Sequence, residues 1–184
     1  MKIAILAWGS LIWDQRELPT IGDWQKGGPI LPIEFSRISS DGRLTLVIDE
    51  KNGVPVKTRY AESGSGTLGQ AIEDLRKREG TSKNMIGVVS KTINNAKDGS
   101  DAVKAWDADH KWDALIWTGL LSNFEDIKGV PFTVENGLTY LSSLSGEEKA
   151  KARRYIERAP EEVITPLRRA VGEWGWGAPG NRVI

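Results

Sequence analysis

Residues 2–13 read KIAILAWGSLIW: an apolar run, a Gly-Ser tip, then an apolar run again. A strand that leaves a sheet through an ordinary hairpin is followed by polar residues, because its turn faces water. Here both flanks of the turn favour burial, so the fold must cover the chain on either side of it. Residues 2–7 are therefore expected to be a buried strand. Gly9-Ser10 is expected to be a turn anchored by Ala7-Trp8 on one side and Leu11-Ile12-Trp13 on the other.

The pattern beyond it is strand-rich at first and helical at the end. Residues 18–32 contain Gly and Pro without a clear period and read as loop. Residues 30–38 (ILPIEFSRI) and 43–49 (RLTLVID) are expected strands joined by Ser40-Asp41-Gly42. Asn52-Gly53 is a hairpin signal. Its second arm is 54–61, and Pro55 places the start of that arm at a sheet edge. Residues 84–90 and 113–118 are further expected strands, with a short helix between them at 101–110. After Pro131 come a helix over 132–143, one opened by Ser145 with Glu148 and running to about Arg158, and one opened by Thr165-Pro166 and running to about Val171. The final GEWGWGAPGNRVI reads as an extended tail. With no repeat and no dividing linker, 1–184 is expected to be a single domain whose helical part begins near 131. The expected class is α+β, a mixed or antiparallel sheet curled into a small barrel with flanking helices.

Composition narrows the chemistry. Lysine plus arginine and aspartate plus glutamate both number 25, so no bulk field draws the chain to nucleic acid or to an anionic membrane. No apolar run approaches the ~20 residues of a membrane span. The short, strand-like start does not read as a signal peptide, and the expected location is cytoplasmic. Cysteine is absent and His110 is the one histidine. His110 sits in the charged stretch WDADHKW and reads as surface. Thiolate nucleophiles and multi-histidine metal sites are excluded, and no cofactor is expected. Chemistry in this chain must use carboxylates, hydroxyls, arginines and backbone amides.

One carboxylate stands out. Thr67 with Gln70 is a capping box, and Gly80 is a stop signal, so 67–79 reads as a helix. At about 100° per residue, Leu68, Ala71, Ile72 and Leu75 share one face, and Glu79 returns to within about 20° of Leu68. Burial raises a carboxyl pKa, and the negative helix end disfavours an anion. Both effects suit a general acid or base. Two plainer outcomes stay open: Glu79 swings into solvent, or it pairs with Arg76 or Arg78.

Three stretches together carry a resemblance. GSLIW after the first strand is similar to the tyrosine-glycine-serine-leucine loop of the gamma-glutamylcyclotransferases, most closely their ChaC-like branch. FSRISSDGRLTLV (35–47) resembles that branch's serine-arginine stretch. LGQAIEDLRKREG (68–80) looks like the helix that ends near the catalytic glutamate. The resemblance covers roughly the first 80 residues. It implies a catalytic role for Glu79 and a substrate-cradling loop at Trp8, Gly9, Ser10 and Leu11. Trp8 stands where the family usually carries tyrosine.

The implied reaction needs no metal. The α-amine of a gamma-glutamyl compound attacks its own γ-carbonyl and closes 5-oxoproline, so orientation supplies most of the catalysis. Glu79 would move the proton, the amides of Gly9, Ser10 and Leu11 would bind carboxylate or carbonyl oxygen, and Arg37 is a candidate partner for a substrate carboxylate. The expected partner is thus a small gamma-glutamyl molecule; the oligomeric state is left open. Two alternatives remain: a non-catalytic module that holds a small acidic ligand on the same fold, and a sugar- or protein-binding surface lined by Trp106, Trp112, Trp174 and Trp176.

Overall fold

The structure, a computed structural model, describes residues 1–109 and 111–176. The surface placement expected of His110 and the tail expected beyond Trp176 lie outside the described residues. Along the chain the strands are β1 (Ile3–Ala7), β2 (Thr20–Ile38), β3 (Leu44–Ile48), β4 (Val54–Ser63), β5 (Ile86–Ser90), β6 (Asn94–Asn95) and β7 (Ala114–Thr118). The helices are α1 (Leu68–Glu79), α2 (Ser100–Trp106), α3 (Phe124–Lys128), α4 (Val134–Ser143), α5 (Gly146–Arg158) and α6 (Pro166–Trp174). The class is α+β, with a mixed sheet. The chain forms two compact units, each assembled from two stretches: Met1–Leu31 with Pro55–Leu120, and Pro32–Val54 with the chain from Leu121 onward.

In the first unit β1 is central. It runs antiparallel to β4, with Ala4 opposite Glu62, and parallel to β7, with Ile3 opposite Ala114. All five of its residues are buried, which is why KIAILAW tolerates no polar residue after Lys2. β7 pairs antiparallel with β5 and β5 with β6, giving the order β2-β4-β1-β7-β5-β6. The order is open. The expected closure into a small barrel is not seen among the described strands: β6 has two residues, too few to carry a ladder around to the other edge.

α1 packs on β5 and β7. Leu68, Ala71 and Leu75 join Ile3, Ile5 and Ala7 of β1, Ile86 and Val88 of β5, and Ala114 and Ile116 of β7 in one core. The helix has the bounds its sequence predicts. The Thr67 side chain accepts from the Gln70 N–H, and Gly80 adopts the left-handed conformation (φ +62°) with its N–H on the carbonyls of Arg76 and Lys77.

Two expectations are corrected here. The stretch 18–32 is not loop throughout, since β2 starts at Thr20. Ile21, Asp23 and Gln25 are all exposed, so this end shows no alternating burial pattern. Gly22 and Gly27 have φ of +71° and +95°, and glycines of that kind read as breakers rather than strand. Pro55 does not mark an edge: β4 lies between β2 and β1. It is the exposed second residue of the strand, where a missing N–H costs little.

In the second unit the end of β2 runs antiparallel to β3, with Ile33 opposite Ile48 and a register shift between Glu34 and Arg37. Phe35 meets Tyr155 of α5 edge-on at 6.2 Å. Thr133 and Thr165 cap α4 and α6 through their hydroxyls, whereas Ser145 precedes α5 without a side-chain cap bond. α3 begins before Pro131, ahead of the expected helical part. α6 continues past Val171 to Trp174, so the first residues of the expected tail are helical.

Candidate active site

β1 ends at Ala7 and the chain turns at once. The Ile12 N–H donates to the Gly9 carbonyl at 3.1 Å, and the N–H groups of Trp13 and Asp14 donate to the Ser10 carbonyl at 3.2 and 2.8 Å. This makes a single 3-10 turn over Ser10–Ile12. Leu11 belongs to the core of the first unit, Ile12 packs against it, and Trp8 is 6% exposed. Apolar residues on both sides pin the turn. The N–H groups of Ser10 and Leu11 open it and have no acceptor within it.

α1 supplies the acid. The Glu79 side chain is 16% exposed and that of Arg78 only 6%. Two consecutive charged side chains are thus withdrawn from water at the end of one helix. The Arg78 guanidinium joins the two expected parts of the site. Its Nη1 donates to Glu79 Oε1 at 2.8 Å. Its Nη2 donates to Ser10 Oγ at 3.1 Å and to the Asp14 carbonyl at 2.5 Å. Its Nε also donates to the Asp14 carbonyl, at 3.1 Å. A second cation lies near: Arg16, whose Nε is 3.4 Å from the Asp14 carboxylate. Arg16 has φ +53°, uncommon for a residue with a Cβ.

Burial pushes the Glu79 carboxyl above the ordinary glutamate range. The charges of Arg78 and then Arg16, with the hydrogen bond from Arg78, pull it back only in part. Its other oxygen is free: among the described residues Oε2 accepts no hydrogen bond, and it is not one of the buried polar atoms left without a partner, so it keeps contact with solvent. Glu34 in the second unit shows the contrast. It is 1% exposed and burial raises its carboxyl too. Both its oxygens are occupied, however, by the N–H groups of Phe35 at 2.7 Å and Leu167 at 3.4 Å. Glu34 is a structural acceptor, while Glu79 has an oxygen to spare.

The remaining expected residues have partners of their own. Arg37 belongs to the second unit, where its Nη1 donates to the Leu121 carbonyl at 2.8 Å, and burial lowers its pKa. The four tryptophans divide into two pairs, one in each unit. Trp106 and Trp112 flank Tyr60 in the first unit at 5.1 and 5.8 Å, and Trp106 Nε1 donates to the Gly27 carbonyl. Trp174 and Trp176 contact each other at 5.4 Å in the second. A cavity of about 270 Å³ in the second unit is lined by Glu161, Val163, Ile164, Arg168 and Arg169 and contains none of the expected site residues. Among the described residues no group of three or more acidic or histidine side chains is placed to hold a metal ion, and no helix is long and apolar enough to cross a membrane.

The sequence pattern named Arg78 only as one possible partner for Glu79. It did not single out Asp14 or Arg16. No periodicity marks a basic residue that reaches across to a distant turn, so the single available signal was its adjacency to an acid on the core face. No protein-family model matches the chain, and no curated protein sequence matches it.

Proposed function

We propose that this chain is a gamma-glutamylcyclotransferase-like enzyme that releases 5-oxoproline from a gamma-glutamyl peptide or amine, with Glu79 as its general acid and base. The observation that carries the reading is the pairing of a water-shielded carboxylate having one unoccupied oxygen with the turn after β1, both bound to one guanidinium. The motifs GSLIW and LGQAIEDLRKREG supply the chemical class. The open sheet is the point at which the fold departs from the barrel expected of that class.

In this reading the α-ammonium of the substrate gives a proton to Glu79 Oε2, and the freed amine attacks the γ-carbonyl. A carbon–nitrogen bond forms within the substrate. Glu79 returns the proton to the leaving nitrogen as its bond to the γ-carbon breaks, then takes the surplus proton from the ring nitrogen and passes it to the released amine, which departs as ammonium and leaves Glu79 a carboxylate again. No water is consumed and no enzyme-bound covalent intermediate forms. The raised pKa makes Glu79 a better proton acceptor than an ordinary glutamate. The N–H groups of Ser10 and Leu11, which have no acceptor within the turn, would bind the charge that develops on the carbonyl oxygen.

The test is turnover. Purified protein should form 5-oxoproline from at least one member of a panel of gamma-glutamyl amino acids, peptides and amines. Glu79→Gln should lower the rate by roughly 10²–10⁴-fold while the protein stays folded. Equal activity in the two proteins would remove Glu79 from the mechanism. Trp8, standing where the family usually carries tyrosine, favours a second reading, a module that holds a small acidic ligand without turnover. That reading stands if no substrate reacts while a carboxylated ligand raises the melting temperature.

A further inference from the structure

We infer that Arg78 is a positioning residue of this site: it holds the Ser10 hydroxyl and the Glu79 carboxylate as one rigid pair, so that a substrate carbonyl meets the first while its amine meets the second. The inference rests on the cyclotransferase reading and adds to it a residue that touches no substrate.

The geometry assigns each donor. A guanidinium has five N–H groups in a fixed fork. Four are used by Glu79 Oε1, Ser10 Oγ and, twice, the Asp14 carbonyl. With one N–H left, and with the side chain 6% exposed, Arg78 cannot grip a ligand carboxylate in the usual bidentate manner. It is committed to the protein.

That commitment fixes the polarity of its partners. Ser10 Oγ accepts from a cation and, among the described residues, its own proton goes to no other group. The hydroxyl is therefore a donor to whatever stands in front of the turn, polarised by the charge behind it. Glu79 is bound to Arg78 through Oε1, which leaves Oε2 for a substrate. Because Arg78 also clasps the Asp14 carbonyl, the end of the 3-10 turn and the end of α1 cannot shift independently. The groups that face Glu79 are Arg78 and, through its charge, Arg16, which leans on Asp14. Near-attack geometry tolerates displacements of about 1 Å poorly, so a rigid tie of this kind acts on turnover rather than on affinity.

Arg78→Met and Arg78→Lys in the full chain separate positioning from support. The Glu79 carboxyl is followed by carbon-13 NMR across pH without substrate, its signal assigned by its loss in Glu79→Gln. In Arg78→Met the midpoint should move to higher pH as the cation is lost. The acid limb of the kcat profile should move with it, and kcat should fall by about 10²-fold with KM little changed. Arg78→Lys keeps a charge but not the fork; its midpoint should stay near that of the wild type while kcat still falls at least about tenfold. The lysine variant also serves if the methionine variant does not fold. The inference is overturned if Arg78→Met lowers the melting temperature but leaves the Glu79 midpoint unmoved, or if Arg78→Lys retains full kcat. Should the wild type turn over no gamma-glutamyl compound, the cyclotransferase reading fails; the substrate-free titration still decides whether Arg78 governs Glu79.

Discussion

Glu79 is stabilised and destabilised by its own neighbours. The C-terminal end of α1 and the loss of water both disfavour its negative charge, while Arg78 and Arg16 favour it. Because the folded pKa lies above the ordinary 4.5, the native state holds the proton more tightly than the unfolded chain. Stability from this group is therefore highest below pH 4.5. It declines as the pH rises towards the folded pKa and is level above it. Glu79→Gln keeps an acceptor for Arg78 and abolishes the titration. Urea denaturation between pH 4 and 8 should show a smaller decline for the variant than for the wild type. Glu34, whose pKa is displaced in the same direction, contributes to the remainder. Parallel curves for the two proteins would contradict the burial of Glu79.

At the scale of elements, α1 is the part on which the site depends, and its ends are set by local chemistry. Thr67→Ala removes the hydroxyl that accepts from the Gln70 N–H and should cost about 1 kcal/mol in chemical denaturation. The sheet beneath imposes a different constraint. A methyl group at Gly87 of β5 would fall within the fully buried ring of Trp117 on β7. Gly87→Ala should therefore destabilise by about 1–3 kcal/mol or more, read as a lower urea midpoint at unchanged slope. These contrasts explain what the amino-acid pattern could convey. The limits of α1, the burial of β1 and the inward aim of Glu79 follow from spacings of a few residues, so they were readable. The start of β2 was not, because its exposed half leaves no alternating pattern and its glycines at positive φ look like breaks. The part played by Arg78 was hidden for another reason: its partners Ser10 and Asp14 are distant in sequence, and only the packing of α1 on the first unit's sheet brings them within reach. Arg37 drew notice through the FSRISSDGRLTLV likeness, yet its guanidinium is bound to the Leu121 carbonyl in the other unit.

The molecule as a whole is divided in a way the chain order conceals. The helical region from about residue 131 marks a change of composition, but the units change over at Leu31, Val54 and Leu120. The second unit is completed by Pro32–Val54, a hairpin that lies inside the sequence of the first. A fragment ending at Leu120 would contain that hairpin without α3 to α6. Phe35 would lose Tyr155, Glu34 would lose the Leu167 N–H, and Ile33, Leu44 and Ile48, all buried in the full chain, would be exposed. Such a fragment should be largely insoluble on expression or elute as aggregate in size-exclusion chromatography, whereas the full chain should not. The same interleaving sets a schedule for a nascent chain. Phe35 emerges from the ribosome long before Tyr155, and at ~5–20 residues per second the wait is on the order of ten seconds. For that interval the hairpin of β2 and β3 has no permanent cover, and the newborn protein depends on whatever shelters it until its last helices arrive.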